Sequence, residues 1–220
     1  MATHTPDQLV RIPADNVTLA GELSLPPGAS GVVVFAHGSG SSRHSPRNVF
    51  VARALQSAGL GTLLFDLLTQ AEDTDYETRF DIPLLTRRLI AATQWLQQQP
   101  PTKALTIGYF GASTGAAAAL QAAATLGAAI SAVVSRGGRP DLAGTALGQV
   151  VAPTLLIVGG EDHVVIDLNR EAYSHLHGEK QLVSVPGATH LFEEPGTLEE
   201  VARLASHWFV THLKRPLSER

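Results

Sequence analysis

Leu105-Thr106-Ile107-Gly108-Tyr109-Phe110-Gly111-Ala112-Ser113-Thr114-Gly115-Ala116-Ala117-Ala118-Ala119-Leu120 is an apolar run, a five-residue turn and an alanine-rich run in succession. The first six residues predict a buried strand, and the last five predict the start of a strong helix. A serine at such a junction is forced into a tight turn that projects its Oγ away from the backbone. Gly111 and Gly115 remove side chains where strand and helix approach most closely. The first N–H groups of the new helix point at the same place and favour negative charge beside Ser113. The five central letters alone also fit an incidental serine in a loop. Their strand and helix neighbours favour an activated nucleophile.

Outward from this junction the apolar runs keep alternating in kind. Val17–Leu25 alternates like a half-exposed strand and stops at Pro26-Pro27. Short apolar runs at Gly31–Ala36, Thr62–Phe65, Ile130–Ser135, Pro153–Val158 and Gln181–Val185 read as further strands. Helical spacing falls at 46–59, 80–99, 113–127, 167–176 and 197–212, weakly at 140–149, with an acidic, irregular stretch at 71–79. Unalternating Val, Ile and Leu runs separated by helices predict an α/β fold, a mostly parallel sheet with helices on both faces. We expect one domain over 1–220, with 1–16 as a lead-in and 214–220 as a tail. In open sheets of this kind ligands bind outside the carboxyl ends of the strands. His37, Ser113, Arg136, Glu161, Asp162 and His190 all fall there.

The 220 residues are 44% hydrophobic, enough to bury a sizeable core. There is no cysteine, which excludes disulfides and thiol catalysis and fits a reducing cytoplasm, the expected location. The net charge of −4 comes without a basic stripe, so nucleic acid is a poor partner. No run suits a membrane span or a signal peptide. The sequence shows no histidine pair at metal-ligand spacing and no glycine-rich phosphate loop, so neither a metal nor another cofactor is expected. A homodimer is compatible with the sequence, which identifies no interface.

A serine hydroxyl needs a base, and histidine titrates near neutrality. Of nine histidines, His190 in Pro186-Gly187-Ala188-Thr189-His190-Leu191-Phe192 follows the last strand, at the sheet end that holds Ser113. His175, His177, His207 and His212 lie in helices or at their ends, where solvated structural roles are expected. A third group should hold the imidazole in the right tautomer. Asp162, in Val158-Gly159-Gly160-Glu161-Asp162-His163, is favoured over its neighbour Glu161, although either carboxylate could instead cap the next turn.

The order Ser113, Asp162, His190 is that of α/β-hydrolases. From about residue 17 to 213 the chain resembles that fold, and it is especially similar to the small, capless members grouped with dienelactone hydrolases. The motifs that carry this are Gly111–Gly115, Gly159–His163 and Gly187–His190. Ala36-His37-Gly38-Ser39-Gly40-Ser41-Ser42-Arg43-His44-Ser45-Pro46 and Ser135–Leu142 add to the likeness. Dienelactone hydrolases proper use a cysteine nucleophile, so Ser113 moves the expectation toward a serine esterase. The resemblance implies oxyanion donors at the backbone N–H groups of Ser39 and Thr114. His37 is expected to bond the loop backbone rather than carry a proton.

The expected reaction is cleavage of short or medium acyl esters, small molecules, through an acyl-serine intermediate. A lactonase, thioesterase or acyltransferase could use the same residues, and a sensor with little turnover is the reading from another class. Arg43, His44, Arg136 and Arg139 come from loops at the catalytic end and are candidate substrate contacts. The alternative pairs the arginines with Asp141 or with Glu72, Asp73, Asp75 and Glu77.

Overall fold

Strand β3 (Gly31–Ala36) is buried at every position, because the chain covers both of its faces. Val32, Val34 and Ala36 enter one apolar core, while Val33 and Phe35 enter another on the opposite side of the sheet. This period of two is set by the pleat. The structure is a computed structural model describing residues 7–213. Besides β3 it contains β1 (Gln8–Ala14), β2 (Val17–Ser24), β4 (Gly61–Phe65), β5 (Thr106–Ala112), β6 (Ile130–Arg136), β7 (Thr154–Gly159) and β8 (Lys180–Val185). Five α-helices are interspersed: α1 (Pro46–Ser57), α2 (Ile82–Gln98), α3 (Thr114–Leu126), α4 (His163–His175) and α5 (Thr197–His212).

The strands form one sheet in the order β1-β2-β4-β3-β5-β6-β7-β8. From β4 to β8 all neighbours are parallel, and β2 joins β4 antiparallel. Leu85 and Leu89 of α2, Ala117 to Leu120 of α3 and Ala172 of α4 fill the first core. Val51 and Leu55 of α1 and Val201, Ala205 and Phe209 of α5 fill the second. Helices therefore cover both faces, as the alternation of runs predicts.

Three expectations are corrected. Residues 8–14 are not a lead-in but strand β1, paired antiparallel with β2 from Gln8↔Leu23 to Ala14↔Val17. Pro13 is tolerated because β1 is an edge strand. Helix α4 starts at His163, four residues earlier than its apolar spacing suggests. The acidic stretch forms two short 3₁₀ turns, Glu72–Thr74 and Thr78–Phe80. It is tied down by Arg88 of α2, a buried cation. That side chain donates to the Ala14 carbonyl at 2.6 Å and to Glu72 at 2.7 Å, and lies 3.5 Å from Asp15. The expected tail at 214–220 lies outside the described residues.

Residues 140–149 form 3₁₀ turns broken at Gly144 (φ 59°) and pack on α3 and α4 rather than over the sheet end. The carboxyl end of the parallel strands thus has no inserted cap at these residues. No helix among the described residues is long and apolar enough to cross a membrane.

Candidate active site

At the end of β5 the chain turns sharply into α3 with Ser113 at φ 50°, ψ −123°. A positive φ is unusual for a residue with a side chain, and here packing on both sides enforces it. A Cβ on Gly111 would sit 2.5 Å from the Ala116 Cα, and one on Gly115 would sit 2.1 Å from the Ala36 carbonyl oxygen. Only glycine allows β3, the turn and α3 to come this close. The Ser113 N–H donates to the Arg136 carbonyl (3.4 Å), and its carbonyl accepts from the Arg139 N–H (3.0 Å). The serine is held by backbone on either side.

His190 lies in the turn after β8. Its Nδ1 is 2.8 Å from Asp162 Oδ2. A carboxylate accepts only, so Nδ1 carries the proton and Nε2 is left as the basic nitrogen. Asp162 is the N-cap residue of α4, yet its side chain makes no capping hydrogen bond. The carboxylate is spent on the imidazole instead of on the helix. Glu161 is exposed, and its backbone N–H donates to the Ala188 carbonyl at 2.9 Å. The His190 turn is braced by Glu194, which accepts from the Thr189 N–H (3.1 Å) and hydroxyl (2.5 Å). Those bonds favour the ionised carboxylate and hold its pKa below the usual range.

Gly137 (φ 51°) packs against the His190 turn. A Cβ there would lie 3.0 Å from the His190 carbonyl oxygen and 3.7 Å from its Nδ1. On the other side, the loop after β3 faces Ser113, since a Cβ on Gly38 would be 3.0 Å from the Ser113 Cβ. The Ser39 N–H in this loop donates to Thr114 Oγ1 at 3.0 Å. His37 is buried and fixes the loop. Its Nε2 accepts from the Leu67 N–H (3.0 Å), so Nδ1 is the donor to the Gly38 carbonyl (2.9 Å). Burial pushes its pKa down, partly opposed by the Gly38 bond and by Asp66 and Asp73. A structural part suits this neutral, doubly bonded ring.

The remaining candidates separate. Arg43 is engaged by Asp66 through its backbone and guanidinium, with Glu22 at 3.4 Å. His44 is largely exposed, 3.5 Å from Glu22. Arg139 makes a bidentate pair with Asp141, at 2.9 and 2.7 Å. Arg136 has no carboxylate partner among the described residues. Its buried guanidinium bonds Asn48 Oδ1 at 3.2 Å and lies over the Phe192 ring, 5.9 Å from the centroid. Desolvation, helped by Arg47, pushes its pKa down to about 10. Its position under the His190 turn suits packing better than contact with a substrate. No cluster of three or more metal-ligating side chains occurs among the described residues.

Sequence reasoning missed two side chains that shape the site, Glu194 and the hydroxyl of Thr114. The spacing of Glu194 from Thr189 gave no motif. The sequence motif points to the Thr114 N–H and carries no signal for its hydroxyl.

The model of the dienelactone hydrolase family matches residues 19–212. A dienelactone hydrolase from Anabaena variabilis is 56% identical, covering 96% of this chain and 100% of that one, with a TM-score of 0.94. An esterase from Pyrococcus furiosus shares the fold at 20% identity and a TM-score of 0.78, covering 95% of this chain and 92% of its own. A Mycobacterium tuberculosis protein with the provisional name phosphoribosyl transferase is 60% identical over 210 residues. That match takes in 96% of this chain but 47% of the relative, so the chain spans about half of that protein's length.

Proposed function

Because the chain belongs to the dienelactone hydrolase family, whose members share the α/β-hydrolase fold, we propose that it is a serine hydrolase of short or medium carboxylic esters. The observation that carries this reading is the His190–Asp162 hydrogen bond at the sheet end that holds the strained Ser113 turn. Nε2 of His190 takes the Ser113 proton as Oγ attacks the ester carbonyl carbon. The carbonyl electron pair moves onto oxygen, facing the N–H groups of Ser39 and Thr114. When the carbonyl re-forms, the bond to the alcohol breaks and His190 returns the proton to the leaving oxygen. Water then attacks the acyl-serine with His190 again as base. Asp162 stabilises the imidazolium in both halves.

The absence of an insertion at 140–149 supports an open site suited to small acyl groups. The arginines Arg43 and Arg139 are neutralised by their own carboxylates, which favours neutral esters over anionic ones. The transferase name of the mycobacterial relative belongs to a protein about twice as long, of which this chain matches 47%. The test is the intact mass after reaction with a small fluorophosphonate. One adduct on the wild type and none on Ser113→Ala is expected. An unmodified, folded wild type would refute the reading.

A further inference from the structure

The Thr114 side chain is buried, 3% exposed, at the first position of α3. Its Oγ1 accepts the Ser39 N–H at 3.0 Å, and among the described residues its own O–H has no acceptor. Beside it lies the Thr114 N–H, the first of the helix N–H groups that have no intrahelical partner. With Oγ1 accepting from the Ser39 N–H, the hydroxyl hydrogen can turn toward an oxygen that arrives beside Ser113. The Ser39 N–H, the Thr114 N–H and the Thr114 O–H thus meet at the N-terminus of α3, one residue on from Ser113.

Resting on the serine hydrolase reading, we infer that the Thr114 hydroxyl is a third oxyanion donor, a catalytic side chain rather than a spacer. The hydrogen-bond distances allow it. An oxygen about 3 Å from the Ser39 nitrogen and about 2.7 Å from Thr114 Oγ1 closes a nearly equilateral triangle. The Ser39 N–H is then shared between Oγ1 and the oxyanion in a three-centre hydrogen bond. The Thr114 O–H turns its hydrogen onto the oxyanion. As the Ser113 Oγ–carbon bond forms, the carbonyl π pair becomes the lone pair that accepts all three donors. As the carbon–oxygen bond to the alcohol breaks, that pair returns to the carbonyl and the Thr114 hydrogen is released. No covalent bond to Thr114 forms or breaks. The resting Ser39–Thr114 bond holds the loop at the separation the anion needs, so little reorganisation accompanies the reaction.

The experiment compares the full-length wild type with Thr114→Val, Thr114→Ser and Thr114→Ala on 4-nitrophenyl butyrate. Binding of an aryl trifluoromethyl ketone, which forms a hemiketal oxyanion on the serine, is measured in parallel, and each variant is checked by thermal melting. Thr114→Val is expected to lower kcat by about 10²-fold, the usual cost of one oxyanion donor, with KM nearly unchanged. Thr114→Ser should stay within about fivefold of the wild type, and ketone affinity should fall in step with kcat/KM. A hydroxyl that merely fills the hole predicts the opposite sign, because its removal frees the Ser39 N–H. The inference is therefore overturned if kcat rises or stays within about threefold in Thr114→Val, or if Thr114→Ser is as slow as Thr114→Val. If valine does not fold there, Thr114→Ala makes the same comparison. A wild type inert to the fluorophosphonate sinks the hydrolase reading and this inference together; an active wild type with an indifferent valine variant sinks this one alone.

Discussion

Adding one methyl group at Gly115 should dismantle the site from within the fold. An ideal Cβ there lies 2.1 Å from the Ala36 carbonyl oxygen and 2.5 Å from that of His37, whereas ordinary contact begins at 3.4 Å. The end of β3 and the start of α3 would have to part by the difference, about 1.3 Å. Both neighbours are backbone, so no side chain can swing aside. Overpacking of this kind costs about 1–3 kcal/mol, and the absence of any flexible neighbour puts Gly115→Ala at or above the upper value. For a chain of this size, about 3 kcal/mol lowers Tm by roughly 6–12 °C. The same movement would stretch the Ser39–Thr114 bond, now 3.0 Å, past hydrogen-bonding range. A displacement of about 1 Å at a reacting centre costs on the order of 10²-fold in rate. Thermal melts and ester kinetics on Gly115→Ala would be read beside Gly148→Ala, whose added Cβ meets nothing closer than 3.6 Å. The control should change Tm by no more than a degree or two. A Gly115→Ala protein that melts with the wild type and keeps its kcat within twofold would refute the argument.

Asp162→Asn should lower kcat by about 10⁴-fold through the wrong imidazole tautomer, while Glu161→Gln stays within about twofold, both measured as steady-state ester hydrolysis. Stability should also depend on His37. Its pKa in the folded chain lies below the unfolded value of 6.5, so below pH 6.5 the unfolded state binds the extra proton and stability falls as pH falls. Urea melts between pH 7 and 5 should show this loss, with His37 contributing a slope of up to about 1.4 kcal/mol per pH unit that disappears in His37→Asn.

Much of this was legible in the sequence because the fold puts reactive groups where strands stop. Ser113, Asp162 and His190 each follow an apolar run closely, and strand ends are the most visible boundaries in an unalternating α/β chain. The sequence favours Asp162 over Glu161, and the geometry agrees, since it is Asp162 that reaches His190. What stayed hidden was set by tertiary partners. Strand β1 has the exposed, interrupted composition of an edge, so Pro13 and Arg11 disguise it. The start of α4 was obscured because its N-cap side chain serves another residue. Arg88 reads as one more helix cation until Ala14 and Glu72 close over it. The pairing of Arg139 with Asp141 was foreseen as one of two options, while the pairing of Arg43 with Asp66 and Glu22 joins segments distant in sequence.

The backbone angle at Ser113 has a consequence for which reactive groups this position can hold. With φ at 50°, a second heavy atom on Cβ would be forced against the main chain, and β-branched residues are true outliers in that region. Threonine offers the same hydroxyl but the wrong stem. Serine and cysteine have one atom beyond Cβ and differ only in the element at the tip. An exchange between the cysteine of dienelactone hydrolases proper and the serine here therefore leaves the turn untouched. Stereochemistry of the stem, ahead of nucleophilicity of the tip, limits the chemistry this corner of the fold can explore.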